Sequence, residues 1–160
     1  ELCEKLHILQ YIVPELRDGI GCGQNQAHAF DVFTHLMKSL EHAAKKNYSF
    51  EVRLASLFHD IGKVYDYELI IKDPACWRKS THARQTHHIT RSALIWNEAK
   101  NKYNFPDVED EVLHAILSHH GRREYGSPVS PNTRLAWTLH LCDSISARLN
   151  DYGTHDGSKV

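Results

Sequence analysis

Apolar residues recur at intervals of three and four residues along most of this 160-residue chain. The pattern is clearest from His28 to Lys46, where several apolar side chains fall on one helical face. They are Phe30, Phe33, Leu36, Met37 and Leu40. This spacing is typical of an amphipathic helix. Alternation of apolar and polar residues, the mark of a strand, never runs for more than four residues, so the sequence predicts an all-α fold.

Five further helices are predicted from the same periodicity, with glycine and proline residues between them. They span about Leu2 to Leu16, Phe50 to Ile61, His87 to Tyr103, Val108 to His120 and Asn132 to Asn150. Residues 19–26 and 63–86 lack helical periodicity and are predicted to be loops. We therefore predict one domain over residues 1–152, a bundle of about six helices, with a frayed tail at 153–160.

The 19 basic and 20 acidic side chains nearly cancel. The chain as a whole has no excess of positive charge to attract nucleic acid or an anionic membrane, so a phosphate-bearing ligand must be bound by local charge. No apolar run approaches the ~20 residues needed to cross a bilayer, and the N-terminus lacks a signal-peptide pattern. We expect a cytoplasmic protein with no membrane partner. The sequence begins with Glu1 rather than methionine, which leaves room for flanking domains of a longer protein.

The four cysteines, Cys3, Cys22, Cys76 and Cys142, are scattered and form no CxxC pair. This arrangement favours free, buried thiols over a zinc knuckle or a disulfide framework. Histidine, in contrast, is unusually abundant, with 13 residues. Metal binding by imidazole is the usual reason for such an excess.

The string LFHDIGK, from Leu57 to Lys63, places His59 and Asp60 side by side at the end of an otherwise apolar helix. A carboxylate and an imidazole that are buried together cost roughly several kcal/mol unless a cation or a hydrogen-bond network compensates them. A divalent metal ion compensates both directly. The pair therefore indicates a metal site, provided that other helices bring further ligands to it.

Two other predicted helices carry side chains suited to the same ion. His35 lies in the helix from His28 to Lys46, and Asp143 lies on the apolar stripe of the last helix, where a carboxylate needs a partner. With His59 and Asp60 they form a set of nitrogen and oxygen ligands. Such a set suits six-coordinate Mn, Mg, Fe, Co or Ni, with positions left open for water.

His28 and Asp31 lie two turns and one turn before His35 on the same helical face. His28 is a further candidate at this site, and Asp31 is a candidate for orienting the His35 ring through a hydrogen bond. Other histidines are expected to be structural or exposed to solvent: His42, His82, His114, His140 and His155.

The order of His35, then the His59 and Asp60 pair, then Asp143, all on helices, resembles the HD superfamily of metal-dependent phosphohydrolases. From Leu57 to Arg148 the strings HDIGKV, HITRSALI, ILSHHGRREYGSPVSPNT and LHLCDSISAR resemble the catalytic domain of YhaM-type 3′-to-5′ exoribonucleases. The N-terminal strings ILQYIVPEL and GIGCGQNQAHAFDVFTHLMKSLEHA are similar to the HD region of bacterial tRNA nucleotidyltransferases. The resemblance implies an HD-domain helical bundle that hydrolyses a phosphate ester, with a nucleotide or a single-stranded RNA 3′ end as substrate.

The resemblance also implies a second metal ion. His88 begins the HITRSALI string, and His119 and His120 form the SHHG pair that dinuclear HD enzymes contain. Helical periodicity places His119 and His120 on the inward face of their helix. With Asp60 as a bridge, His88 and His119 would hold the second ion about 3.5 to 4 Å from the first, a separation that suits in-line displacement at phosphorus. Whether His120 is a third ligand of this ion is left open.

Asp60 and Lys63 are the predicted catalytic residues. Asp60 would bridge the ions, which activate water for attack on phosphorus and absorb charge on the phosphate oxygens. Lys63 follows the His-Asp pair at a helix end and is predicted to clamp the phosphate, with a solvated helix-terminal cation as the open alternative. Arg91, Arg122 and Arg123 are further candidates for bidentate phosphate contacts.

Trp77 lies in a predicted loop among basic side chains and is a candidate for stacking on a base of the substrate. Trp96 and Trp137 occupy apolar helical positions and are predicted to pack in the core. The basic residues between Lys72 and Arg91 are equally compatible with an ordinary solvated loop.

Three alternative functions stay open. An HD fold also serves as a DNA nuclease domain within a larger protein. The same ligands suit a di-iron centre that activates oxygen, or a purely structural metal ion in a binding or regulatory module without catalysis. The completeness of the ligand set favours an active phosphohydrolase over the regulatory module.

Overall fold

The computed structural model describes residues 2–23, 30–72 and 75–153, and of Val108 and residues 146–153 only the backbone is described. His28 and His155 lie outside the described residues, as does the predicted tail apart from its first residue. The described part of the chain is mostly helical, which confirms the predicted all-α class.

Long helices alternate with short elements along the chain. In order, the elements are α1 (Leu2–Lys5), α2 (Leu9–Ile12), α3 (Pro14–Asp18), α4 (Val32–Lys45), α5 (Phe50–Phe58), α6 (Lys63–Asp66), β1 (Tyr67–Lys72), β2 (Ala75–Lys79), α7 (Thr81–Gln85), α8 (His88–Tyr103), α9 (Glu111–Ser118) and α10 (Arg134–Gly153). Short 3-10 turns lie at Val108–Asp110 and Arg123–Tyr125. The helices α4, α5, α8, α9 and α10 confirm five of the predicted helices, and their ends lie within four residues of the predicted ones.

The predicted lead-in helix and the predicted loop at 63–86 were both wrong in part. The lead-in is divided into three short helices, and the last break falls at Val13, because the ring of Pro14 excludes a helical conformation in the residue before it. The stretch at 63–86 forms α6, an antiparallel β1–β2 hairpin and α7. Most side chains of this hairpin are exposed, so backbone pairing forms it without the apolar alternation that marks a half-buried strand.

A side-chain cap fixes the start of α4. Asp31 Oδ1 accepts a hydrogen bond of 2.7 Å from Thr34 N, and Asp31 Oδ2 accepts one of 2.8 Å from Gly21 N. Both oxygens therefore bind backbone groups. The prediction that Asp31 orients the His35 ring was wrong, because its carboxylate caps the helix and holds the preceding turn instead.

The core lies between α5 and the helices that surround it, since α5 contacts α4, α8, α9 and α10. Trp96 is fully buried there, with its ring 5.2 Å from that of Phe58 in an edge-to-face contact, as predicted. The core prediction for Trp137 was wrong, because this residue is 48% exposed. It shares a helical phase with Leu141 and Ile145, which are also exposed, so this apolar stripe of α10 faces outward.

All four cysteines are free thiols, as predicted, but only Cys22 is buried. Cys3 and Cys76 are exposed, and Cys142 is half-buried. Among the helices that the structure describes, none combines the length and the apolar character that crossing a membrane requires.

Candidate metal centre

The seven predicted metal ligands converge inside the helical bundle: His35, His59, Asp60, His88, His119, His120 and Asp143. His35 lies within α4, and Asp143 lies within α10. Helices α5 and α9 present their ligands from the turns that follow their last residues, and α8 presents its ligand from its first residue. Because the chain leaves the helix in those two turns, adjacent side chains there reach the same centre.

The ligand atoms form two groups that share one carboxylate. The first cluster consists of His35, His59, Asp60 and Asp143. The second cluster consists of Asp60, His88, His119 and His120. Within each cluster the ligand atoms lie within 4.8 Å of one another, close enough to surround a single ion.

Asp60 lies between the two clusters and turns one oxygen toward each. Its Oδ2 is 3.2 Å from His35 Nε2 and 3.4 Å from His59 Nε2. Its Oδ1 is 3.4 Å from both His88 Nε2 and His119 Nε2. This geometry is what a carboxylate needs in order to bridge two cations.

Lys63 is buried against the same carboxylate. Its Nζ lies 2.7 Å from Asp60 Oδ2, and its side chain is 7% exposed, so the alternative of a solvated helix-terminal cation was wrong. Burial alone would lower the pKa of Lys63, but the Asp60 carboxylate raises it above its usual value. Burial alone would raise the pKa of Asp60, but Lys63 and His59 hold it well below its usual value. Lys63 therefore keeps Asp60 ionised.

The first cluster combines two carboxylates with two imidazoles. His59 Nε2 lies 3.2 Å from His35 Nε2 and 3.7 Å from Asp143 Oδ1, while His59 Nδ1 donates to the Ser56 carbonyl at 3.0 Å. Burial alone would lower the pKa of His59, but Asp60 and Asp143 raise it to about 10. Burial alone would raise the pKa of Asp143, but His59 holds it well below its usual value. The two carboxylates thus stabilise positive charge in the first cluster, either a proton on His59 or a divalent cation.

The imidazoles of the second cluster are in the form that binds metal. Each Nδ1 faces an oxygen: Asp66 Oδ2 at 3.0 Å from His88, the Ile116 carbonyl at 2.7 Å from His119, and the Tyr125 carbonyl at 2.6 Å from His120. Because these oxygens accept hydrogen bonds, each Nδ1 carries a hydrogen, and in a neutral ring the lone pair that remains is that of Nε2. Burial lowers the pKa of His88 to about 3 and that of His120 to about 4, so both rings are neutral.

Three atoms of the second cluster are buried without a hydrogen-bond partner among the described residues: Asp60 Oδ1, His88 Nε2 and His119 Nε2. Each such unpaired polar group costs about 1–3 kcal/mol. With both rings neutral all three are acceptors, so they cannot satisfy one another. A cation between them satisfies all three at once, and the hydrogen bonds at Nδ1 already aim the rings toward it. The residues present therefore fit a divalent metal ion.

Asp66, which the sequence analysis missed, supports the second cluster from α6. Its Oδ2 accepts hydrogen bonds from His88 N at 3.2 Å and from His88 Nδ1 at 3.0 Å. Its Oδ1 accepts from His82 Nδ1 at 3.3 Å, and His82 Nε2 accepts from Arg91 Nε at 3.2 Å. The Arg91 guanidinium also lies 4.9 Å from the centre of the Tyr65 ring. Arg91, predicted to bind phosphate, is thus tied to the support of His88 instead of facing either cluster.

His140, for which the sequence predicts no functional role, supports the turn after α9. Its Nδ1 donates to the His119 carbonyl at 2.7 Å. Gly121 follows this turn at a left-handed φ of +81°, and a Cβ there would lie 2.4 Å from His140 Cε1. Glycine meets both demands because it tolerates positive φ and has no Cβ, so it allows the turn that carries His119 and His120.

The remaining predicted substrate contacts lie outside the two clusters. Arg122 and Arg123 are exposed at the turn just after His120. Trp77 lies on β2 and not in a loop, so that part of the prediction was wrong. Its half-buried indole occupies the space over Gly23, where a Cβ would lie 2.4 Å from Trp77 Nε1. Part of the Trp77 ring is therefore used in packing.

A cavity of about 550 Å³ opens beside the first cluster, between α4, α5 and α10. His35, His59 and Asp143 form part of its wall, and the basic residues Lys38 of α4 and Lys46, just after α4, also line it. Most of the remaining wall is apolar or aromatic and includes Phe30, Ala43, Tyr48, Val52, Leu139 and Cys142. The first cluster is thus open to a ligand through this cavity.

Three curated proteins similar to this chain share the name 3′-5′ exoribonuclease YhaM. The one from Shouchella clausii is 34% identical over 98 residues, which cover 59% of this chain and 28% of that protein. The one from Oceanobacillus iheyensis is 33% identical over 101 residues, with coverages of 61% and 30%. The one from Bacillus subtilis is 30% identical over 95 residues, with coverages of 59% and 29%. The match thus spans less than a third of each relative's length.

No solved structure gives a significant match to the chain. The family described as HD domain matches residues 32–148. This range runs from the start of α4 into α10 and includes every residue of both clusters. The chain therefore belongs to the HD domain family.

Proposed function

We propose that this chain is a metal-dependent phosphodiesterase with two divalent ions, which acts on the 3′ end of single-stranded RNA or on a nucleotide. The observation that carries the proposal is the set of three buried acceptors without a partner among the described residues, Asp60 Oδ1, His88 Nε2 and His119 Nε2. Membership of the HD family and similarity to proteins named as exoribonucleases support a phosphodiester as the bond that is hydrolysed. The cytoplasmic location expected from the sequence remains part of the proposal.

In this proposal each cluster holds one ion. The first ion is bound by His35, His59, Asp60 and Asp143, and the second by Asp60, His88, His119 and His120. Nitrogen and oxygen ligands in this mixture suit Mn, Mg, Fe, Co or Ni. Divalent cations bound there supply Lewis-acid activation of water and neutralise charge on the phosphate oxygens.

The side chains around the ligands have supporting tasks. Asp60 fixes the spacing of the two clusters. Because Lys63 keeps the Asp60 carboxylate ionised, we assign it this role instead of binding to the substrate phosphate. Asp66 holds the His88 ring with Nε2 toward the centre. Arg122 and Arg123 remain proposed phosphate contacts, because the turn after α9 exposes both guanidinium groups.

The proposal is tested by hydrolysis assays after chelation and reloading with each divalent metal. The substrates are end-labelled single-stranded RNA, DNA of the same sequence and the small diester bis(p-nitrophenyl) phosphate. We expect metal-dependent hydrolysis of the diester and stepwise shortening of the RNA from its 3′ end. Absence of hydrolysis of every phosphate ester with every metal would refute the proposal.

The variant Asp60→Ala and its control locate the activity. Asp60→Ala removes the bridge, so turnover should fall by roughly a thousandfold while the helical circular dichroism is retained. Asp18→Ala removes an exposed carboxylate of α3 and should keep wild-type activity. Hydrolysis of DNA without RNA would reassign the chain as a DNA nuclease domain, and oxygen uptake by the iron-loaded protein would reassign it as an oxygenase.

A further inference from the structure

We infer that Lys38 and His42 on α4 and Lys46, the residue that follows its end, bind successive phosphates of a single strand whose reacting end lies at the first cluster. We refer to these three residues as the α4 ridge. The inference rests on the proposed function and deepens it, because it selects a strand over a mononucleotide as substrate. It is carried by a juxtaposition: one cavity is lined both by the α4 ridge and by three residues of the first cluster.

The spacing of the α4 ridge matches a repeating ligand. Its residues are four positions apart, so they lie on one face of α4 and at the residue that follows its end. A rise of 1.5 Å per residue separates successive ridge residues by about 6 Å along the helix axis. This step is similar to that between neighbouring phosphates of an extended strand. His35 lies three residues before Lys38, so the ridge begins beside the metal ligands and leads away from them.

The charge along the cavity favours a polyanion. Among the described lining residues the one carboxylate belongs to Asp143, a proposed metal ligand. Lys38 and Lys46 carry positive charge, and His42 offers a hydrogen-bond donor; all three are exposed. The formal net charge of the whole chain is −1, so a polyanion must be attracted by such a local concentration of positive charge.

The wall beside the ridge offers ring surface for bases. Phe30 and Tyr48 contribute aromatic rings to the cavity, and Lys38 Nζ lies 4.6 Å from the centre of the Phe30 ring. Positive charge that follows the backbone, together with aromatic rings beside it, is how proteins bind single strands without reading their sequence. A volume of about 550 Å³ is typical of a ligand pocket and has room for a terminal nucleoside.

The test compares two charge-matched double variants, Lys38→Ala/Lys46→Ala and the control Lys5→Ala/Lys45→Ala. Lys5 lies on α1, Lys45 pairs with Glu41 at 2.7 Å, and neither lines the cavity. Binding is measured by fluorescence anisotropy of a labelled oligoadenylate in the presence of chelator, so this readout does not depend on activity. Hydrolysis of bis(p-nitrophenyl) phosphate is measured with metal, because this small diester needs the metal centre and not the ridge.

In the ridge variant the dissociation constant for oligoadenylate should rise by about tenfold at moderate salt. The slope of log affinity against log salt should become shallower by about 1.4, or about 0.7 for each lost phosphate contact. Hydrolysis of the small diester, which has a single phosphate, should fall by a smaller factor than strand binding, and the control variant should match wild type in both assays. AMP should compete only weakly with oligoadenylate.

Two results would overturn the inference: oligoadenylate binding equal in the ridge and control variants, or AMP that binds as tightly as the strand. Failure of the proposed function gives a different pattern. In that case the wild type hydrolyses neither the diester nor RNA with any metal, while the ridge variant alone still loses strand binding.

Discussion

The two clusters share Asp60, but the pKa of His59 in the first is raised, whereas the pKa values of His88 and His120 in the second are lowered. In the first cluster burial would lower the pKa of His59, but the carboxylates of Asp60 and Asp143 raise it to about 10. In the second cluster burial lowers the pKa of His88 to about 3 and that of His120 to about 4. Asp60 and Asp143 together outweigh burial at His59, whereas burial outweighs the raising effects of Asp66 and Asp60 at His88.

This difference implies two modes of metal binding. A cation that enters the first cluster replaces the proton of His59, whereas one that enters the second meets the neutral rings of His88 and His120, and all three rings there already have their Nδ1 hydrogens bonded. The first cluster therefore depends on its carboxylates, and the second depends on the hydrogen bonds behind its rings. Substitutions can therefore remove a carboxylate of the first cluster or a hydrogen bond of the second cluster separately.

Asp143→Asn should break the first cluster alone and have the largest effect of the substitutions that address a single cluster. The amide keeps the shape of the side chain but removes the negative charge that attracts the cation. We expect loss of one ion and a fall in diester turnover of roughly a hundredfold or more. Elemental analysis and initial rates measure both, with Asp18→Asn on the exposed side of α3 as the control. Loss of both ions would show that the clusters do not bind independently.

Asp66→Asn should weaken the second cluster and leave the first intact. Without its charge, residue 66 holds the His88 ring less firmly, so the affinity for the second ion should fall by about 10- to 100-fold. Isothermal titration with metal measures the two affinities. Glu68→Gln is the control, because Glu68 is exposed on β1 and pairs with Arg78 at 2.8 Å. Equal weakening of both ions, or of neither, would argue against a support role for Asp66.

The metal-free protein should show a smaller effect of pH that belongs to the first cluster. The pKa of His59 is about 10 in the folded protein against its usual 6.5. Protonated His59 therefore stabilises the fold fully below pH 6.5, and this contribution is lost as the pH rises through about 10. We expect the free energy of unfolding of the chelated protein to fall over this range, and to fall less in His59→Gln. Denaturant titrations at several pH values test this, and identical pH profiles would disprove it.

The proposed metal ligands could be predicted by two routes. Helical periodicity indicated that Asp143, His119 and His120 face inward, whereas His88 was suggested by the family resemblance alone. The groups behind the ligands could not be predicted. Asp66 lies on a helix of four residues, too short for a periodic pattern, and the partners of His119 and His120 are backbone carbonyls, which every sequence provides.

Exposed residues are also difficult to interpret from the sequence, because periodicity does not show which helix faces or strands are exposed to solvent. The α4 ridge has the spacing of any solvated helix face, and it becomes the wall of a cavity because α5 and α10 lie beside it. Trp137 lies on an apolar stripe of α10 that faces outward, so periodicity placed it in the core wrongly. The β1–β2 hairpin was missed for a related reason, because strands exposed on both faces leave no alternation to detect.

The central claim is that two metal-binding clusters share Asp60, and the number of divalent ions bound per chain tests it most directly. After identical loading with manganese, elemental analysis should give two ions for the wild type, one for His119→Ala and none for Asp60→Ala. His114→Ala is the matched control, because His114 is a half-buried histidine of α9, the helix that precedes His119, and accepts a hydrogen bond from Asn132 N at 3.2 Å; this variant should keep two ions. A single ion in the wild type, or an unchanged number in His119→Ala, would contradict the two-cluster centre.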